Sequence, residues 1–250
     1  MPRIRTLTAV AALVLLTAGP AWADFKVQLP DAEYGEFEFE PVGSYGMSGN
    51  PGTDNEQSFV PELGYGATPF WHTELEFETA RPAGIGHHLK FVQLTSENRF
   101  QFTERGEYWV DPGFYFEYGQ VLSKGVPNEI TFGPILRKEM FGTIDTVNLF
   151  LEKDIGGFAS GRPSFTYAIE SRLDLGTIVE PGIQAYGTPG PFGHFAPISQ
   201  QDHRIGPQLF ATIAPFGRGD LKMNGGILFG LTPAAPRRTL RWQIEYEVHF

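Results

Sequence analysis

The stretch RWQIEYEVHF, residues 241–250, alternates strictly between apolar and polar side chains. The apolar or aromatic positions are Leu240, Trp242, Ile244, Tyr246, Val248 and Phe250. Because successive side chains of a β-strand point to opposite faces of the sheet, this pattern predicts a strand with one apolar and one polar face. Such a strand needs either a protein core or lipid against its apolar face.

The same alternation recurs along the chain, in EFEFE (36–40), WHTELEFE (71–78) and FTYAIESRL (165–173). The chain also carries 22 Phe, 30 Gly and 20 Pro, a composition of strands and turns. We predict strands at 33–45, 57–66, 71–79, 89–103, 108–121, 129–140, 143–153, 164–173, 177–186, 204–214, 221–231 and 238–250. The predicted fold is all-β: a single antiparallel up-and-down transmembrane β-barrel of about 12 strands.

The first residues predict export. Arg3 and Arg5 precede an apolar run at 10–16, and small residues at 21–23 flank a cleavage site, which is typical of a signal peptide over residues 1–23. Its removal leaves 24–250 as one barrel domain. It also takes away two arginines and no acid, which leaves 17 basic against 29 acidic residues, a formal charge of −12. Nucleic acid is therefore not an expected partner, and the absence of cysteine excludes a disulfide framework.

The predicted connections broadly alternate between long and short, so one end of an up-and-down barrel carries long loops and the other tight turns. Even strand number, this asymmetry and strands of about ten residues are typical of outer-membrane barrels. Alternation alone does not say which face is inside. A soluble barrel would bury the apolar face, whereas a membrane barrel turns it to lipid. Trp71, Trp109, Tyr118 and Tyr167 near strand ends favour lipid, because aromatic residues concentrate at membrane interfaces.

On the membrane interpretation the polar face lines a lumen that mixes both signs of charge. The candidate solute-path residues are His72, Glu74, Glu76, Glu117, Arg137, Glu152, Glu170, Arg172, Glu180, Arg241 and Glu245. Acidic residues exceed basic ones on this face, which favours a cationic or neutral solute. Two features fit poorly: the apolar parity shifts between Phe91 and Phe100, which requires a bulge, and Lys138 falls on the lipid face.

The last strand resembles the C-terminal strand by which bacterial outer-membrane proteins are recognised by their assembly machinery. The matching residues are Trp242, Ile244, Tyr246, Val248 and Phe250. The resemblance implies that these residues form an assembly signal, with the barrel-assembly machinery and outer-membrane lipid as partners.

The stretch FVPELGYGATPFWHTELEFE, residues 59–78, resembles paired strands of the putative phenol-degradation meta-pathway family of proteobacterial outer-membrane proteins. Glu62, Tyr65, Gly66 and Trp71 fill comparable positions, while Gly64 and the ATPF turn depart from the pattern. The resemblance implies a transporter-like barrel of undefined cargo, with no catalytic residues to assign.

Catalysis and metal binding have weaker support in the sequence. No serine is recognisably paired with His72, and adjacent His87 and His88 would point to opposite faces of a strand. His194 lies in a Gly/Pro loop predicted at 187–199, and His203 follows it. We therefore expect no enzyme activity, no cofactor and no metal. The alternatives are a lipid-modifying enzyme of the outer membrane and a soluble periplasmic ligand-binding barrel.

Overall fold

The computed structural model describes residues 25–159 and 161–249, and the predicted signal peptide and Phe250 lie outside these ranges. Twelve antiparallel strands close into one barrel, which confirms the predicted fold. They are β1 Glu36–Met47, β2 Gln57–Thr68, β3 Trp71–Arg81, β4 Lys90–Gln101, β5 Asp111–Val121, β6 Asn128–Met140, β7 Thr143–Ile155, β8 Ser164–Leu173, β9 Val179–Pro191, β10 Asp202–Phe216, β11 Gly219–Gly230 and β12 Arg238–His249. Among the described residues no helix is long and apolar enough to cross a membrane.

Every strand pairs with its neighbours in sequence, and β1 pairs with β12 to close the barrel. In that closing pair Phe37 lies opposite Val248 and Tyr45 opposite Leu240. Apolar residues therefore match apolar residues across the seam, so the alternation at 240–248 sets the register of closure.

The barrel is polar inside and apolar outside. In β1, Glu36, Glu38 and Glu40 are buried in the interior while Phe37 and Phe39 are exposed. The buried set over the described residues includes eleven carboxylates and five lysines or arginines. A soluble barrel has the opposite arrangement, so the predicted inversion of faces is confirmed.

The outer surface is correspondingly apolar on most strands. Exposed strand residues include Leu63, Leu75, Phe116, Leu149, Ile169, Ile183, Ile205, Ile227 and Leu240. These come from nine different strands, and β1 adds Phe37 and Phe39. The outer face of β4 is polar at mid-strand, where it carries Ser96 and Asn98.

Both irregularities noted in the sequence have a local explanation. Between β3 and β4 the register shifts from Glu78 opposite Gln93 to Thr79 opposite Phe91, so Val92 is the extra residue of a bulge. This confirms the predicted bulge and lets Phe91 pack outside against Phe77. Lys138 does lie on the outer face, where its Nζ is 5.7 Å from the ring centre of Trp109.

The two ends of the barrel differ as predicted, with some corrections. Longer connections at one end are 48–56, 82–89, 122–127, 156–163, 192–201 and 231–237; the other end has 69–70, 102–110, 141–142, 174–178 and 217–218. We call these the loop end and the turn end. The connection 102–110 is longer than predicted for the turn end. The predicted loop 187–199 is also wrong at its start, because β9 continues to Pro191.

Candidate functional site

Residues 25–35, here called the lumen segment, belong to no strand, and the first part of the segment lies inside the barrel. The segment leads directly into the start of β1 at the turn end of the barrel. There the N–H of Gly35 donates to the carbonyl of Gly66 (2.9 Å). It runs from there into the lumen, and Phe25 to Gln28 are all buried. Residues 33–35 were predicted to begin the first strand, which starts only at Glu36, and residues 25–32 had no predicted role, so the placement in the lumen is a finding of the structure.

The ammonium group of Lys26 lies among three carboxylates, here called the carboxylate cage. Its Nζ is 2.5 Å from Glu62 Oε2, 2.7 Å from Glu74 Oε2 and 3.4 Å from Glu40 Oε2. Adjacent strands β1, β2 and β3 supply the three acids, with Glu40 directly opposite Glu62 in the register. All four side chains are at most 4% exposed, so the ion pairs are shielded from solvent.

Arg99 extends the charge network from the cage toward β4. Its Nη2 donates to Glu74, and its Nε lies 3.2 Å from Glu97 Oε1. His72 lies beside them, with Nε2 at 3.3 Å from Glu74 Oε1 and 3.4 Å from Glu38 Oε2. Buried charges are costly unless they are paired, and here each cation faces at least two acids.

Gln28 binds the opposite wall through its backbone as well as its side chain. Its N–H donates to Asn148 Oδ1 (2.7 Å), and its carbonyl accepts from Asn148 Nδ2 (2.8 Å). The side-chain Nε2 donates to Glu97 Oε2 (2.6 Å). Asn148 therefore pairs with the segment in the way that a neighbouring strand would, and so satisfies backbone groups that are buried from water.

The apolar residues of the segment pack on an apolar patch of the lumen wall. Phe25 and Val27 form one cluster with Ala168, Tyr186 and Leu228. The Phe25 ring meets Tyr186 edge-on at 5.3 Å. Lys26 and Gln28 point to polar partners instead, so the segment alternates as a strand does.

Polar groups also bind Phe25, the first described residue of the segment. Tyr186 Oη and Arg241 Nε both donate to the carbonyl of Phe25, at 2.5 and 2.8 Å. The guanidinium of Arg204 lies over the Phe25 ring, 4.5 Å from its centre, a cation–π contact in a desolvated setting.

Near the turn end, charges fasten the segment to the mouth of the barrel. Arg137 Nη1 donates to Asp31 Oδ2 (2.5 Å), and Arg105 of the 102–110 connection lies 3.5 Å from the same oxygen. Both arginines also contact Glu139. The unexpectedly long connection thus contributes to holding the lumen segment.

A cavity of about 450 Å³ remains in the lumen beside the segment. Its lining reaches from exposed turn-end residues such as Glu33 and Arg105 to the buried Lys26 and Glu40. The cavity therefore opens toward the turn end and ends at the carboxylate cage.

The predicted solute-path residues all lie on the lumen side of their strands, but they do not form one site. Glu74, Arg137 and Arg241 contact the lumen segment. Five residues line the cavity: His72, Arg137, Glu170, Arg172 and Glu245. Glu170 accepts from Gln184 (2.7 Å).

The remaining predicted residues lie elsewhere on the lumen wall. Glu117 accepts from Tyr115 Oη (2.5 Å). Glu152 lies one step beyond Phe150 on the inner side of β7, toward the loop end. Glu180 accepts two backbone N–H groups of the turn 174–178. Glu76 is buried between Glu62 and Thr95 in the register.

Sequence reasoning missed Lys26, Gln28, Glu62 and Glu97 as site residues. One signal was available: Lys26 is the only lysine or arginine between residues 24 and 80, a stretch that also carries twelve acidic residues. Since β1 to β3 direct their carboxylates inward, charge balance in that part of the lumen requires a cation from outside those strands.

The loop histidines considered as metal ligands in the sequence are not the residues that the structure brings close together. His87, His88 and His194 are exposed in loops, while His203 pairs with Tyr167 Oη (2.9 Å) and Gln201. Among the described residues, three groups with ligand atoms within 4.8 Å of one another consist of lumen acids alone, one of them Glu40 with Glu62 and Glu74, and two further groups combine acids with His72 or His249.

The predicted assembly-signal residues Trp242, Ile244, Tyr246 and Val248 lie on the outer face of β12, since Thr239, Arg241 and Glu247 of the same strand are buried inside. Trp242 packs on Phe59 (ring centres 6.0 Å apart). Their recognition by an assembly machinery stays a prediction, and Phe250 lies outside the described residues.

No family model matches the chain, and no curated protein matches it. Among solved structures it is similar to a bacterial polysaccharide outer membrane secretin (9% identity, TM-score 0.36, 89% of this chain and 100% of that chain). It is also similar to CdiB from Escherichia coli (7%, 0.36, 86% and 63%) and to Salmonella typhi OmpF in complex with daunomycin (7%, 0.32, 85% and 96%). At these values the likeness assigns neither a family nor a function.

Proposed function

We propose that the protein is an outer-membrane β-barrel whose lumen binds or conducts a small solute, as porins and transporters do, without catalysis. The inverted distribution of side chains carries this proposal: the barrel is closed, its exterior is apolar and its interior is charged. An apolar band around a closed barrel suits lipid, because closure leaves no unpaired strand edge in the hydrocarbon. Export by a signal peptide over residues 1–23 belongs to the same proposal.

The lumen segment keeps the bore closed in this conformation. Hydrogen bonds and ion pairs hold it to opposite walls, to β1–β3 through Lys26 and to β7 through Gln28. Passage of a solute therefore requires the segment to move, while binding in the cavity at the turn end does not.

The sign of the lumen charge supports a cationic or neutral solute. Eleven buried carboxylates face five buried lysines and arginines, one of which is Lys26 on the movable segment. Displacement of the segment would remove that cation and leave the lumen more acidic.

Planar-bilayer recording tests the proposal. The wild-type chain and a variant lacking residues 25–32 are compared, with a variant lacking the exposed loop residues 85–88 as a control for deletion itself. We expect a higher single-channel conductance only for the first variant, because it loses the segment that fills the bore. Equal conductance in all three would contradict closure by the segment.

The same recordings under a KCl gradient measure selectivity. The acidic lumen predicts a reversal potential of the cation-selective sign, and selectivity for chloride would contradict the proposed solute charge.

A further inference from the structure

The carboxylate cage already holds a primary ammonium group, that of Lys26. The three carboxylate oxygens at 2.5, 2.7 and 3.4 Å match the three N–H donors of an ammonium group. The acids belong to three adjacent, paired strands, whereas the lysine belongs to a segment outside the sheet. The barrel thus supplies the site, and the segment supplies its occupant.

Without Lys26, the three buried acids of the cage would be left without the cation that pairs with all of them. Glu62 is fully buried, and its second oxygen, Oε1, has no hydrogen-bond partner. Three acids whose oxygens lie within 4.8 Å of one another repel strongly in a desolvated site. Any state in which the segment leaves is therefore stabilised by a cation that enters the cage.

A path to the cage exists on one side. The cavity of about 450 Å³ is lined by both Lys26 and Glu40, and it opens at the turn end. A solute with an amine at one end and a short chain behind it fits that shape, because its amine would meet Glu40 while its chain stays in the cavity.

We propose that the carboxylate cage is a binding site for the primary ammonium group of a small solute, and that Lys26 is its built-in competitor. This inference rests on the proposed solute-handling function and names the solute class. Binding of the solute ammonium to Glu40, Glu62 and Glu74 displaces Lys26, and the lumen segment loses its hold on β1–β3.

An ammonium group suits the cage better than a divalent metal. Ca²⁺ takes six to eight oxygen ligands, and one oxygen of Glu74 is already engaged by Arg99. A metal would therefore find fewer free oxygens than its coordination needs, whereas an ammonium needs only the three that Lys26 uses.

Calorimetric titration of the purified barrel in detergent with butylammonium chloride tests the site. Lys26→Ala is expected to bind butylammonium at least tenfold more tightly than wild type, because an intramolecular competitor acts at an effective concentration of the order of millimolar or more. Lys90→Ala, which removes an exposed lysine outside the lumen, should bind as wild type does. Adding Glu62→Gln to Lys26→Ala should abolish the gain.

A second measurement keeps Lys26 in place. It tests displacement of the lumen segment even if the Lys26→Ala variant does not fold. Val27 is 7% exposed and the chain has no cysteine, so Val27→Cys should react slowly with a thiol reagent. Butylammonium should speed this labelling severalfold by displacing the segment, and butanol at the same concentration should not.

Equal binding by wild type and Lys26→Ala, together with labelling that butylammonium leaves unchanged, would overturn the inference. Binding of Ca²⁺ but not butylammonium by Lys26→Ala would overturn it as well, since the cage would then select metals. Both measurements are made in detergent micelles and do not depend on conductance. Absence of conductance in a planar bilayer would therefore contradict the proposed function without contradicting the ammonium site.

Discussion

At the scale of single residues, Gly64 shows how closely the lumen is packed. It faces inward on β2, and a Cβ at this position would lie 2.6 Å from His72 Nε2. In the sequence Gly64 was a departure from the family pattern that residues 59–78 resemble. In the structure it provides the space for the imidazole between Glu38 and Glu74.

We expect Gly64→Ala to lower the free energy of unfolding by about 1–3 kcal/mol, the usual cost of overpacking. His72 would have to leave its place between two buried acids. Gly49 in the loop 48–56 has no atom within 4 Å of such a Cβ, so Gly49→Ala is the matched control and should have little effect. Urea unfolding followed by tryptophan fluorescence measures both; equal stability of the two variants would contradict the packing argument.

At the scale of elements, alternation explains which parts of the fold were predictable. Strands such as β3 and β12 repeat the pattern over eight or more residues, so the sequence predicts both the strands and which of their side chains face inward. The end of β9 carries the run GTPGP, which has no alternation and reads as a loop.

The lumen segment was not predictable in the same way. Its alternation lasts only from Phe25 to Gln28, too short for a period-two signal. Its partners become visible only when the barrel is closed, because Lys26 contacts residues from Glu40 to Glu74 and Gln28 contacts Asn148. Long-range polar contacts of this kind leave no local pattern.

Neighbouring residues of β12 test which face of the strand meets lipid and which meets the lumen. Ile244 is exposed on the outer side, while Glu245 points inward and pairs with Lys222 (3.1 Å). Ile244→Arg should destabilise the folded barrel in lipid by about 2–4 kcal/mol near the bilayer centre. Glu245→Arg should cost several times less, because a cation there would face Lys222 but would also lie beside the carboxylates of Glu38 and Glu40. Equilibrium unfolding in lipid vesicles measures both, and a larger cost at 245 would contradict the assignment of faces.

At the scale of the whole molecule, the inside and outside of the barrel are set by charge. Alternation in the sequence left two arrangements open, and the aromatic and charged residues favoured the membrane one. The structure realises it with carboxylates and arginines in the interior and an apolar band outside. What the sequence did not reveal is that residues 25–35 of the same chain fill part of the interior.

Fluorescence quenching tests most directly which residues of β12 face lipid. Single cysteines are placed in turn at positions 242 to 247, and each carries a polarity-sensitive fluorophore. The labelled barrels are then studied in vesicles whose lipid chains carry a quencher. The chain has no native cysteine, so each label is unique. Trp242, Ile244 and Tyr246 lie outside, and Gln243, Glu245 and Glu247 inside. We predict quenching at 242, 244 and 246 and none at 243, 245 and 247; no quenching at any of the six would contradict the membrane barrel.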